Sequence, residues 1–191
     1  MNPIDEFESL AEEIFSVYLD ATEGFRRIAI TAEILVYDKA KKGARDDKGV
    51  SPAGHLIYAL GKKEDGSYIE LSARTGKEIV EANLQGGSNH RFVASMALVA
   101  LYQYWDDHYR AAIASHLGKA KSDLKVPIFG DLRKFRRAII HNKGRIIPEM
   151  NSLELFKWEE PVIENDPFDL DHENMCAIWW AVKIALNDLR E

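Results

Sequence analysis

An arginine-rich stretch near residue 140 ends in a histidine, and its spacing is that of a helix. Arg133, Arg137 and His141 recur every four residues, so in a helix they share one side. The apolar residues of the same stretch recur at threes and fours and predict an opposite, buried side: Leu132, Phe135 and Ile139. Gly144 follows as a left-handed helix stop. The stretch therefore predicts a helix that presents two guanidinium groups and one imidazole to water.

These side-chain types suit phosphate chemistry. Histidine transfers protons well because histidine side chains in general titrate near neutral pH. The planar guanidinium group of arginine can bind two phosphate oxygens at once. The alternative is a solvated helix face, with a terminal histidine that only pairs with the last carbonyl groups of its helix. A histidine inside an arginine cluster favours a phosphate-handling site over that alternative.

The same stretch resembles the signature of the HEPN superfamily, in which an arginine, four to six intervening residues and a histidine mark the active helix. The matching residues here are Arg136 and His141, and an Asn-Lys-Gly run follows them. Many members carry asparagine, aspartate or histidine directly after the motif arginine, where this chain has Arg137. The resemblance covers the long helix predicted at 90–117, the motif helix and the closing helix. It implies a mainly α, HEPN-like helical bundle that forms a homodimer, with two motif helices facing one cleft.

Catalytic members of that family are metal-independent endoribonucleases, so the resemblance implies this activity with no cofactor and no metal. RNA carries its own nucleophile, the 2′-hydroxyl group, so the protein has only to move protons and stabilise charge on the phosphate. By the resemblance Arg136 and His141 are catalytic, and Asp106 on the long helix is a candidate for an acid that orients them. The candidate phosphate or RNA ligands are Arg133, Arg137, Asn142 and Lys143.

The geometry of an ideal helix pairs the histidine with a different arginine. At about 100° per residue, Arg136 lies roughly 140° around the helix axis from His141, whereas Arg137 lies roughly 40° away. An isolated helix would therefore place Arg137, and not Arg136, beside His141. The resemblance favours Arg136 and the geometry favours Arg137, so both remain candidates for the arginine that works with His141.

Composition and charge narrow the class of protein. The net charge of -6 argues against a protein that coats nucleic acid indiscriminately. Residues 118–146 hold nine basic and two acidic side chains, a net charge of +7, and residues 147–174 hold one basic and nine acidic ones, a net charge of -8. The single cysteine, Cys176, fits a reducing compartment. Residues 92–102 form the longest nearly apolar run, far short of the roughly 20 residues of a membrane helix. We therefore expect a cytoplasmic protein that does not engage a membrane.

The elements that must position the arginine-rich helix are also mainly helical. Apolar periodicity predicts one long or broken helix over 3–41 and a continuous spine helix over 90–117. Asp65-Gly66 between two apolar runs predicts a small β-hairpin insertion over 55–72, followed by a short helix over 75–84. A mostly irregular segment, 146–166, precedes the closing helix. No linker or repeat divides the sequence, so 1–191 is predicted to be a single domain.

Two functions from different classes fit these observations. The first is RNA binding, with metal-independent endoribonuclease activity of defence or toxin type. The defence or toxin setting comes from the resemblance alone, and so does the expectation of a cognate antitoxin or other protein partner. The alternative is a non-catalytic helical dimerisation module that binds a nucleotide or a protein partner. An open basic groove beside the motif would favour the first. Arginines held in ion pairs by Glu159, Glu160 or Asp166 would favour the second.

Overall fold

The protein is described by a computed structural model that covers residues 2–41, 56–62, 64–65, 68–155, 163–166 and 170–191. Its α-helices there are α1 (Pro3–Lys41), α2 (Gly76–Asn83), α3 (Ser88–Tyr104), α4 (Arg110–His116), α5 (Pro127–His141) and α6 (His172–Asp188). A π-helical turn, Trp105–Tyr109, joins α3 to α4, and a 3-10 helix spans Pro148–Ser152. The mainly α character predicted from the sequence is confirmed.

The chain divides into two compact units. The first combines residues 1–21 with residues 91–191, and the second is Thr22–His90. Helix α1 contributes to both units, since its first part belongs to one and its remainder to the other. The candidate site lies wholly in the first unit. The single-domain assignment stays a prediction.

The core of the first unit is built on aromatic rings that come from three helical segments. Phe7 of α1 packs against Trp105 and Phe129, with ring centroids 5.5 and 5.6 Å away, and Trp105 stacks on Phe129 at 3.8 Å. All three side chains are buried, so each removes a large apolar surface from water. This cluster fixes the start of α5 against the π-helical turn.

The spine helix runs from Ser88 to His116, as α3, the π-helical turn and α4 in series. It continues through the turn because Tyr104 and Arg110 keep right-handed helical dihedral angles. Gly118, with a φ of 67°, follows its end, which lies within one residue of the predicted end at residue 117. The sequence predicts a continuous helix here and does not indicate the π-helical turn. Such turns are frequent at functional sites.

The second unit contains the two strands, β1 (Leu56–Lys62) and β2 (Tyr68–Arg74), which pair antiparallel. The register runs from Leu56 opposite Arg74 to Lys62 opposite Tyr68, with irregularities on either side of Ala59. These strands lie in the region of the predicted hairpin; its status as an insertion in a HEPN-like bundle stays a prediction. Helix α2 follows and begins with a capping box between Thr75 and Glu78.

Candidate functional site

Helix α5 carries the arginine-rich stretch and is held by its buried side. Pro127 occupies the first turn, where its missing N–H costs nothing. The buried side chains are those of Ile128, Phe129, Asp131, Leu132, Phe135 and Ala138. Arg133, Arg137 and His141 lie on the exposed side, as their four-residue spacing predicts. We call this exposed side of α5, which carries Arg133 and Arg137 and ends at His141, the cationic face.

The end of α5 is fixed by hydrogen bonds from the residues that follow it. The backbone N–H groups of Asn142 and Gly144 both donate to the carbonyl oxygen of Ala138, at 3.0 and 3.1 Å. Lys143 and Gly144 take left-handed φ values of 55° and 72°, so the predicted stop extends over two residues. The side-chain amide of Asn142 donates to the carbonyl oxygens of Arg145 at 3.2 Å and of Ile146 at 3.4 Å. Asn142 therefore secures the chain after the helix.

His141 is the last residue of α5 and its side chain is exposed. It makes no hydrogen bond or ion pair with any other residue that the structure describes. Arg133, two turns earlier, is likewise exposed and unpaired within the described chain. Arg137 differs, because its guanidinium group forms an ion pair with Glu149 of the 3-10 helix. The imidazole is thus reachable from solvent, and it shares this side of α5 with Arg137, which is paired, and Arg133, which has no partner among the described residues.

Arg136 occupies a different environment from the cationic face. Its side chain is partly buried, and its guanidinium carbon lies 5.9 Å from the centre of the Tyr102 ring. Its Nε atom is buried and has no hydrogen-bond partner among the residues that the structure describes. Burial raises the pKa of Tyr102, the charge of Asp106 raises it further, and the nearby arginines lower it. The guanidinium group of Arg136 therefore lies against α3, and of the two candidate arginines it is Arg137 that shares an exposed side with His141.

Asp106 lies in the π-helical turn, where its partners are other cations. Its Oδ1 atom is 3.4 Å from Nη1 of Arg110 and 3.9 Å from Nζ of Lys121. Lys121 also donates to the backbone carbonyl oxygen of Asp106, at 2.6 Å. Within the described part of the chain, the carboxylate makes no ion pair with Arg136 or His141, the side chains that the sequence expected it to orient.

A cavity of about 430 Å³ opens at the start of α5 and was missed by the sequence reasoning. Three cations line it: Arg110, Lys125 and Arg133. They come from α4, the connection before α5, and α5 itself, so no short motif groups them. Arg133 lies both in the cavity and on the cationic face. The only sequence signal was the net charge of +7 over residues 118–146, which does not separate a cavity from a solvated surface.

Within the described residues, no group of three or more His, Cys, Asp or Glu side chains is placed to hold a metal ion. No described helix is both long and apolar enough to cross a membrane. The cytoplasmic location stays a prediction.

Comparison with known protein families, with curated proteins and with solved structures finds no match to this chain. The likeness to the HEPN superfamily therefore stays a prediction from the sequence.

Proposed function

We propose that this protein binds single-stranded RNA along the cationic face of α5 and cleaves it without a metal ion. The observation that carries the proposal is the exposed imidazole of His141, which pairs with no described residue and lies at the end of a row of arginines. A phosphate bound by Arg133 or Arg137 would lie within one or two helical turns of that imidazole, since each turn rises about 5.4 Å. No other described histidine ends a helix whose exposed side carries two arginines at this spacing.

The proposed reaction uses the nucleophile that RNA itself carries. The 2′-oxygen attacks the adjacent phosphorus, a proton leaves that oxygen, and a proton reaches the departing 5′-oxygen. The products are a 2′,3′-cyclic phosphate and a 5′-hydroxyl end. His141 transfers one of these protons, and a guanidinium group stabilises the charge that develops on the phosphate. Geometry assigns that second role to Arg137, whereas the family resemblance assigns it to Arg136.

A homodimer would supply the second proton-transfer group, because two motif helices facing one cleft bring two copies of His141 together. The homodimer, the defence or toxin setting and a cognate antitoxin all follow from the resemblance to HEPN proteins. Light scattering during gel filtration measures the mass in solution and so tests for the homodimer directly. A monomeric mass at micromolar concentration would remove the second imidazole from the mechanism.

The deciding experiment is an RNase assay with purified wild type and two histidine variants. His141→Ala should lower the cleavage rate by about 100-fold or more, the usual contribution of a proton-transfer group. His116→Ala is the matched control, because His116 is also an exposed last residue of a helix. It should cleave like wild type. Equal rates for wild type and His141→Ala would contradict the catalytic proposal.

The same assay decides between the two arginines. The cleavage rates of Arg137→Ala and Arg136→Ala should be measured together with the melting temperature of each variant. The melting temperature is needed because Arg136 is partly buried, so its loss can also weaken the fold. We expect Arg137→Ala to lose cleavage at an unchanged melting temperature. A loss confined to Arg136→Ala, with the fold intact, would favour the arginine that the resemblance selects.

A non-catalytic binding module is the second candidate, and one ion pair favours it. Arg137 is held by Glu149, an arrangement of the kind that the sequence reasoning associated with a structural role. The sequence predicted other acids as partners of the arginines. Of these, Glu159 and Glu160 lie outside the described residues. The backbone carbonyl oxygen of Asp166 accepts a hydrogen bond from the backbone N–H of Ile146. Stable binding of a nucleotide or a protein partner, with no RNA cleavage by wild type, would support this candidate.

A further inference from the structure

The cavity at the start of α5 has the size of a small-molecule site. Its volume of about 430 Å³ falls within the roughly 300–1,000 Å³ typical of ligand pockets. It adjoins the end of α5 opposite to His141. Arg133 and His141 are eight residues apart on that helix, which corresponds to about 12 Å along its axis. The cavity is therefore a separate place from the proposed cleavage site, joined to it by the cationic face.

The cations that line the cavity are suited to a doubly charged phosphate group. Lys125 and Arg133 have exposed side chains with no ion pair to any described residue. Arg110 is held in position, because its Nε atom donates to the carbonyl oxygen of Leu124 at 3.2 Å and its Nη1 atom lies 3.4 Å from Asp106. One fixed guanidinium group and two cations that pair with no described residue thus line one cavity. A terminal phosphate monoester carries more charge than a phosphate inside a strand, and would gain more here.

Aromatic side chains form part of the remaining walls of the cavity. Tyr102, Trp105 and Phe129 line it, and the last two form the parallel stack that closes the core behind it. Trp105 belongs to the π-helical turn. Glu154, exposed at the margin, offers a carboxylate that can accept hydrogen bonds from hydroxyl or amino groups. Aromatic walls, cations and an acceptor together match a nucleotide, which has a planar base, a phosphate and hydroxyl groups.

We propose that this cavity is a pocket for the terminal nucleotide of an RNA strand that ends in a phosphate monoester. The proposal rests on the proposed function, since the rest of the strand would lie on the cationic face. Arg133 belongs to both places and would guide the strand from the cavity toward His141. The protein would then select RNA by a phosphorylated end, and would cut it at a distance from that end fixed by the length of α5.

Gly130 provides a way to fill the cavity without disturbing the fold. It lines the cavity, and a Cβ atom placed there would have no atom within 4 Å. A side chain at this helical position therefore meets no clash at its Cβ atom, and leucine removes the conformational cost of a glycine inside a helix. Gly24→Leu is the matched control, because Gly24 is also inside a helix, also has open space at Cβ, and does not line the cavity.

The test measures binding of three 2′-O-methyl RNAs of one sequence, which lack the attacking hydroxyl group and so are not cut. One carries a 5′-phosphate, one a 3′-phosphate, and one ends in hydroxyl groups at both sides. We expect one phosphorylated RNA to bind wild type and Gly24→Leu about tenfold more tightly than the hydroxyl RNA, or more, the equivalent of one good charged contact. Gly130→Leu should lose this preference and still bind the hydroxyl RNA. Lys125→Ala, which leaves the cavity open, should reduce the preference.

Each other outcome has a definite meaning. Equal binding of all three RNAs to wild type, or a preference that survives in Gly130→Leu, would overturn the pocket and leave the proposed function standing. Binding of none of them, even at low salt, would overturn both proposals. Adenosine 5′-monophosphate is the remaining probe. If it binds wild type as tightly as the phosphorylated RNA and loses affinity in Gly130→Leu, the cavity takes a free nucleotide, and the assignment to an RNA end is wrong.

Discussion

The salt dependence of RNA binding should report how many cations of α5 contact phosphate. Arg133, Arg137 and Lys143 are exposed on or just after α5, so up to three phosphates can be neutralised. For single strands, each such contact adds about -0.7 to the slope of log affinity against log salt concentration. The expected slope for wild type is therefore about -2, and affinity should fall roughly 20-fold between about 50 and 200 mM salt.

Replacing one arginine should change that slope by a predictable amount. Arg133→Ala and Arg137→Ala should each give a slope of about -1.4 and a fall of roughly sevenfold over the same salt range. Arg27→Ala is the matched control. Its guanidinium group is 75% exposed and paired with Glu23, much as that of Arg137 is 62% exposed and paired with Glu149. Arg27 is not part of the cationic face, so its removal should leave the wild-type slope.

The ion pair of Arg137 allows a change in the opposite direction. Glu149→Gln removes a negative charge that competes with phosphate for this guanidinium group. Exposed ion pairs of this kind contribute about 0.2–1 kcal/mol, so RNA should bind roughly 1.4- to 5-fold more tightly. The slope should not change, because the number of cations is the same. A decrease in affinity would mean that the pair positions Arg137 for binding.

The assay is fluorescence anisotropy with an uncut 2′-O-methyl RNA that carries hydroxyl groups at both ends, so that the contribution of a terminal phosphate is excluded. Affinity is measured at several salt concentrations for wild type and each variant. Identical slopes for wild type, Arg133→Ala and Arg137→Ala would refute the reasoning, since no RNA phosphate would then be bound by the cationic face.

Two further predictions concern stability. Asp131 is fully buried and accepts hydrogen bonds from the backbone N–H groups of residues 154–155, so Asp131→Ala should lower the free energy of unfolding by about 3 kcal/mol or more. Chemical denaturation measures this, and Asp131→Asn, which keeps one acceptor oxygen, should lose less; an unchanged stability would contradict it. Burial, with smaller effects from neighbouring charges, raises the pKa of Tyr18 to about 12. Because this pKa is above the unfolded value of about 10, the stabilisation is complete below pH ~10 and is lost as pH rises toward 12. Denaturation across this range should show a smaller decline for Tyr18→Phe, and equal declines would contradict the assignment.

Local sequence was sufficient for the main helices and their ends. The spacing of apolar residues predicted a helix with Arg133, Arg137 and His141 on its exposed side, and the structure confirms that arrangement. Glycine predicted the stop after His141, although Lys143 also takes a left-handed φ. These features depend on residues within one or two turns of each other, so their physical causes are visible in a short window.

The partners of the arginines could not be found in the same way. Arg137 pairs with Glu149, twelve positions later, and the guanidinium group of Arg136 packs on Tyr102, thirty-four positions earlier. Both contacts depend on where the chain travels after a helix ends. The helical geometry did place Arg136 and His141 on different sides, and the structure agrees with it.

By itself, the sequence determined that the protein is mainly helical, where α5 ends, and which of its side chains face water, because the 3.6-residue period and the cap residues act locally. Only the tertiary structure decided that Asp106 forms ion pairs with Arg110 and Lys121. It also decided that the spine helix contains a π-helical turn and that three cations line a cavity. Those results depend on packing between segments that are distant in sequence. The burial of Phe7, Trp105 and Phe129 brings the segments together, and no periodic pattern records which segments will meet.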